Sequence, residues 1–158
     1  MADDRVVVTS VGALLGRLGV LCNTGFALAI HIRLTAPAIL YQTYRAEWGD
    51  YYSMKGFMLS DPVVVWGLTH TGRVVWSDLA GVDTEGVIAA AVSFGLTNGW
   101  TYATVTDNSR TIAGVTRSGR AHTDEEVAEI IAIVEDLHRL TAGFDDLPPA
   151  VQNKLRHL

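Results

Sequence analysis

Residues 44–67, YRAEWGDYYSMKGFMLSDPVVVWG, decide how the rest of the chain is read. Tyr44, Trp48 and Tyr52 recur every four residues, and four residues of helix turn through about 400°, so the three rings nearly superpose on one face. Tyr51 points elsewhere. Such a stripe fills a core, but two phenol hydroxyls and an indole N–H each need a partner once buried, and Leu would fill the space more cheaply. Asp61 follows, with Pro62 behind it at the favoured first helical position, so Asp61 suits the N-cap of a helix over PVVVWGL. If Asp61 instead faces the aromatic stripe, a carboxylate enters an apolar pocket, which is costly unless a donor meets it. Core helix and pocket wall both remain open on these residues alone.

The whole chain narrows the field. Its 158 residues are enough for one domain with a real core, and 49% apolar against 18% charged residues place it among globular chains. A net charge of −5 argues against a phosphate-binding surface, and no zinc-finger or RNA-binding pattern appears. A single cysteine, Cys22, excludes an internal disulfide and suits a reducing cytoplasm. The start, MADD, leads into no signal-peptide core, and GVIAAAVSFGL (86–96) is far short of the roughly 20 residues of a membrane helix. A cytoplasmic domain that binds neither nucleic acid nor membrane is expected.

Along the chain, Ser10 is the expected cap of a helix carrying Leu14, Leu15, Leu18, Leu21 and Cys22 and ending near Asn23 and Gly25. Gly12, Gly16 and Gly19 make that helix smooth, for packing on its own sheet or for a dimer contact. FALAIHIRL (26–34) and AILYQTY (38–44) read as strands separated by TAP, and GRVVWSDL (72–79) as a short extended segment. DTEGVIAAAVSFG (83–95) reads as a helix stopped by Gly95. GWTYATVTD (99–107) and TIAGVTR (111–117) flank NSR as a hairpin. Thr123 and Glu126 form a capping-box pattern for a last helix whose buried stripe is Val127, Ile130, Ile131, Val134, Leu137 and Thr141. Pro148 and Pro149 break and restart a helix in the polar tail. This order predicts a single-domain α/β (α+β) fold, an α/β/α sandwich with a central antiparallel sheet flanked by helices. Residues 1–145 form the domain, and 146–158 are a tail or linker stub.

Trp76, Gly99 and Thr116 gain meaning only together with the opening stretch. The ordered set Tyr44, Trp48, Tyr52, Asp61-Pro62, Trp76 and FGLTNG ending at Gly99 resembles the autoinducer-binding domain of LuxR-type quorum-sensing regulators. The spacing from Trp48 through Trp76 agrees without a gap, and the likeness covers roughly residues 10 to 142. The resemblance implies an N-acyl-homoserine lactone as ligand, with no cofactor and no metal. Trp48 would donate to the lactone carbonyl, Asp61 accept from the ligand amide, and Tyr44 donate to the acyl carbonyl. Tyr52 would pack on the start of the acyl chain and Trp76 would wall the lactone. Thr116 is the match for a hydroxyl near the amide carbonyl. Leu40, Phe57, Met58, Val64, Trp100 and Tyr102 are expected as further lining, and Pro62 and Gly99 as structural positions. Such regulators continue into a helix-turn-helix domain, whereas this sequence ends at Leu158. The expectation is therefore the receptor half of a regulator, or a stand-alone domain acting by sequestration or heterodimerisation. Its protein partner is a second copy or a LuxR-type relative.

Three rivals stand beside this reading. One is a sensor of the same shape for a different small molecule, and another is a protein-interaction module without ligand. The third is an enzyme, against which His31, His70, His122, His138 and His157 show no spacing to Cys22 or to a carboxylate that marks catalysis or metal binding. Because an unmet buried polar group costs about 1–3 kcal/mol, the empty site is expected to be a weak point of the fold that ligand repairs.

Overall fold

The computed structural model describes residues 3–34 and 36–158. Five strands form one antiparallel sheet in the order β2-β1-β5-β4-β3. They are β1 (Phe26–Arg33), β2 (Ala36–Gln42), β3 (Gly72–Val75), β4 (Trp100–Thr106) and β5 (Ser109–Val115). The helices are α1 (Asp4–Leu21), α2 (Ala46–Met54), α3 (Pro62–Thr69), α4 (Val87–Ser93), α5 (Asp124–Leu140) and α6 (Pro149–Arg156). Helices cover both faces of the sheet, as the sandwich reading predicts. Among the described residues no helix is long and apolar enough to cross a membrane.

The period-two alternation of the strands divides the sheet into two cores. On one face Leu28, Ile30, Trp100, Ala113 and Val115 pack with Val11 and Leu18 of α1 and with Ile130, Val134 and Leu137 of α5. On the other face, Trp48, Phe57, Trp76, Val87, Ala91 and Leu96 form a smaller, aromatic cluster under α2 and α4. β4 shows the division in adjacent residues: Trp100 belongs to the first core, while Thr101 turns to the second side.

Several boundaries differ from the sequence reading for physical reasons. α1 starts at Asp4 with Asp3 as its N-cap, the carboxylate accepting from the Arg5 N–H at 3.0 Å, so Ser10 lies mid-helix. The acidic start is the cap of the helix. Within TAP, Thr35 lies outside the described residues, while Ala36 and Pro37 already belong to β2. The β4–β5 turn falls on Asp107 and Asn108 at φ 52° and 63°, the left-handed pair that a two-residue type I′ hairpin requires. Ser109 and Arg110, expected in the loop, therefore pair within the ladder. Trp76 begins a 3-10 segment, Trp76–Val82, instead of extending the strand. Both oxygens of Asp83 cap α4, accepting from the N–H groups of Val87 and Ile88 at 2.9 and 2.8 Å.

The capping box at Thr123 and Glu126 is present in full. Ile133 and His138 share the fully buried face of α5, while Val127 and Ile131 are only half-buried. The polar-looking tail carries α6, with Pro149 in its first turn, packed on α1 and β2. Leu155 is fully buried there and its carbonyl accepts from the Tyr41 hydroxyl at 2.5 Å.

Candidate functional site

Between the sheet and α2, α3 and α4 lies a cavity of about 1000 Å³. Tyr44, Trp48, Tyr52, Asp61 and Trp76 all line it. The aromatic stripe is thus a pocket wall, and the four-residue spacing on α2 is what turns Trp48 and Tyr52 the same way. Leu40, Met58 and Val64 line it as well.

Gly114 and Thr101, directly paired across β5 and β4, form the floor at the polar end. The Tyr44 hydroxyl donates to the Gly114 carbonyl at 3.1 Å. The Trp76 indole donates to the Thr101 hydroxyl at 2.9 Å. Gly99 sets the position of Trp76: a Cβ there would stand 2.2 Å from the indole ring, so only glycine admits the ring, and the Trp76 N–H donates to the Gly99 carbonyl at 2.9 Å. Opposite, Asp61 caps α3 through Oδ1, which accepts from the Val63 N–H at 2.9 Å, while Oδ2 accepts from the Tyr52 hydroxyl at 2.7 Å. Asp61 is therefore both cap and cavity wall, the two readings that its sequence left open. Burial raises its pKa above the ordinary carboxylate value, against the pull of the Tyr52 hydroxyl and the Val63 and Val64 N–H groups. Burial likewise lifts the Tyr44 and Tyr52 phenols well above their usual range, Asp61 adding to both.

The Trp48 indole N–H behaves differently. It has no hydrogen-bond partner among the described residues, although the ring is packed by Tyr51, Tyr52, Phe57 and Phe94. This corrects the expectation of an unsatisfied empty site. Of the five polar wall residues, Tyr44, Tyr52, Asp61 and Trp76 have partners within the protein, and the Trp48 donor is left for whatever enters.

Four expected lining residues are not brought to the cavity wall. Phe57 lies behind it, against Trp48 and Tyr52. Trp100 and Tyr102 project from the opposite face of β4, where Trp100 donates to His122 Nδ1 at 3.0 Å and Tyr102 to Glu135 at 2.6 Å. Alternation in GWTYATVTD puts Thr101 on the cavity side whenever Trp100 is on the other, and that parity is the signal that finds Thr101. Thr116 lies past the end of β5, fully buried, donating to the Gly25 carbonyl at 3.0 Å and accepting from Thr24 at 2.7 Å.

Folding brings His122 within 4.0 Å of the Cys22 sulfur, a proximity that no spacing in the sequence announces. The pair is inert. His122 Nδ1 accepts from Trp100, so Nε2 carries the proton and donates to the Leu21 carbonyl at 2.7 Å, leaving no lone pair for the thiol. Burial pushes that thiol up to about 12.

An antiparallel sheet roofed by aromatic helices, enclosing an apolar cavity with polar groups at one end, defines a small-molecule-binding domain. The chain belongs to the autoinducer binding domain family, whose profile matches residues 21–142. Among solved structures it is similar to SdiA from Escherichia coli, with a TM-score of 0.64 at 19% identity over 94% of this chain and 66% of that one. It is similar also to SdiA in complex with octanoyl-rac-glycerol, with a TM-score of 0.62 at 18% identity over 92% and 62% of the two chains. A third is the N-acylhomoserine lactone dependent LuxR family transcription factor CepR2 from Burkholderia cenocepacia, at 0.57 and 16% identity over 89% and 94%. At these identities the likeness is one of fold. The chain spans about two-thirds of the SdiA chains it matches. No curated protein sequence matches it.

Proposed function

We propose that this domain is a receptor for an N-acyl-homoserine lactone. The observation that carries the reading is the Trp48 indole N–H, without a partner among the described residues, on the wall of a cavity that also holds Asp61. Trp48 donates to the lactone carbonyl and Asp61 accepts from the ligand amide. The Tyr44 hydroxyl turns from Gly114 to the acyl carbonyl. Trp76 covers the lactone, and Tyr52 packs on the first part of the chain while holding Asp61. Thr101 supplies the wall hydroxyl that the sequence assigned to Thr116. Leu40, Met58 and Val64 meet the apolar part. The domain acts in the cytoplasm, without catalysis, as the sensory half of a transcription regulator or alone by sequestration or heterodimerisation. It pairs with a second copy or a LuxR-type relative.

The test is extraction. Protein produced with a mixture of lactones is purified and denatured in organic solvent, and the released mass is measured. Recovery of intact lactone near one per chain is expected. No released lactone, together with a melting curve indifferent to every lactone added, overturns the proposal.

One observation favours a second reading. Asp61 is already satisfied by Tyr52 and Val63, so a ligand without an amide N–H leaves no charge unpaired. An acyl ester of the octanoylglycerol kind, as held by SdiA, meets that condition. The released mass separates the two.

A further inference from the structure

We infer that the site takes long-chain acyl ligands, whose distal methylenes run along a track of small residues on β1 and leave through an apolar mouth with no end wall. This rests on the acyl-ligand reading above and adds the length class to it.

Strand register orders the cavity floor. Gln42, Ala27, Gly114 and Thr101 lie in one row across four strands, and Leu40, Ala29, Ile112 and Ala103 lie in the next. The rows are two residues apart, about 6.6 Å along the strands. Tyr44 and Trp76 bond to the first row, which fixes the polar head there. An acyl chain leaving the head crosses Ala27 and then Ala29, where side chains are small, and passes Ile112 towards Ile32. All four line the same cavity.

The second row is open at its β2 end. Leu40, Met58 and Leu68 line the cavity, yet they are 51%, 59% and 46% exposed. α3 is packed on β4 and β5, with Gly67 so close to Ile112 that a Cβ would stand 2.7 Å from it. The roof therefore sits over one half of the sheet, and Leu40 on β2 looks out beside it. Three apolar side chains of one continuous cavity, half in water, suit an apolar extension of the cavity's own occupant better than a polar ligand of fixed length.

The test is a homologous series of butanoyl, octanoyl, dodecanoyl and tetradecanoyl homoserine lactones, with affinities measured by calorimetry on the intact chain. Affinity is expected to tighten about two- to fourfold per methylene through the whole series. Leu40→Gln and Met58→Gln should flatten the rise between octanoyl and tetradecanoyl, and Ala29→Leu should reverse it by blocking the track. A maximum at butanoyl or octanoyl followed by a fall overturns the inference and leaves the lactone proposal standing, as it would if a second copy capped the mouth. Absence of binding at every length overturns both.

Discussion

Tyr52 donates its hydroxyl to Asp61 across 2.7 Å, joining the inner face of α2 to the N-cap of α3 over the head of the cavity. The same carboxylate caps α3, so one side chain sets the helix start, the aromatic wall and the polar end of the pocket. Asp61→Asn keeps the volume and one acceptor but presents an amide donor on the second position. Its effect on the free protein is expected to stay within about 1 kcal/mol, because relief of a buried charge offsets a lost hydrogen bond. Lactone affinity is expected to fall by one to two orders of magnitude, since the ligand amide then meets a donor. Urea denaturation and calorimetry read the two effects separately.

Trp48→Phe removes a donor that has no partner among the described residues. The smaller ring costs about 1–3 kcal/mol of packing against Tyr51, Tyr52, Phe57 and Phe94. The informative quantity is the stabilisation added by ligand. At a lactone concentration 100 times the wild-type Kd that increment is about 2.7 kcal/mol, and a tenfold weaker variant keeps about 1.4 kcal/mol at the same concentration. An unchanged increment would remove Trp48 from the binding site.

Gly99→Ala is expected to destabilise by about 1–3 kcal/mol, because its Cβ would fall 2.2 Å from the Trp76 ring and force it off Thr101. Ligand affinity falls with it as the wall shifts. Tryptophan fluorescence with denaturant titration checks both.

Stability is expected to decline on acidification below about pH 6.5. His31 and His138 stack at 4.4 Å beneath the sheet, each only a few per cent exposed, and burial lowers both pKa values from 6.5. His31 Nε2 donates to the His138 carbonyl at 2.7 Å, and Nδ1 meets the Ser109 hydroxyl at 2.6 Å. The unfolded chain takes up protons below pH 6.5 that the folded chain refuses, so the neutral pair's contribution is whole above 6.5 and shrinks as pH falls towards the depressed values. Asp61 has the opposite sign: its raised pKa means that protonation near the acid end relieves the fold. Urea midpoints against pH give the slope, and His138→Asn should flatten it.

Leu155→Ala should cost about 2–5 kcal/mol, since the side chain is fully buried between α1 and β2. A loss under 0.5 kcal/mol would show that α6 does not belong to the cooperative unit.

What the sequence made legible was what periodicity and local chemistry encode. The four-residue spacing on α2 turned Trp48 and Tyr52 to the cavity, whereas Tyr44 lies before the helix start at Ala46 and lines the cavity from the β2–α2 connection, so its helical reading did not hold. The Asp-Pro pair located both the α3 cap and the polar wall. The Thr123–Glu126 box, with only two positions between its members, declared itself locally. Parity along β4 was equally available, yet Trp100 and Tyr102 were counted as lining because aromatic size was weighed before alternation. Thr116 failed because its hydroxyl belongs to the loop after β5, where strand parity no longer applies. The satisfaction of Asp61 by Tyr52, and the meeting of Cys22 with His122 across about a hundred positions, are tertiary facts that no local window contains.

The smooth side of α1 has an outcome for the motions of the molecule. A Cβ added at Gly12, Gly16 or Gly19 would meet nothing within 4 Å, so nothing among the described residues requires the bare backbone there. Each glycine forgoes roughly 1 kcal/mol of helix stability relative to alanine. Amide hydrogens in the middle of α1 should accordingly exchange with deuterium sooner than those of α5, and alanine at the three positions should slow them.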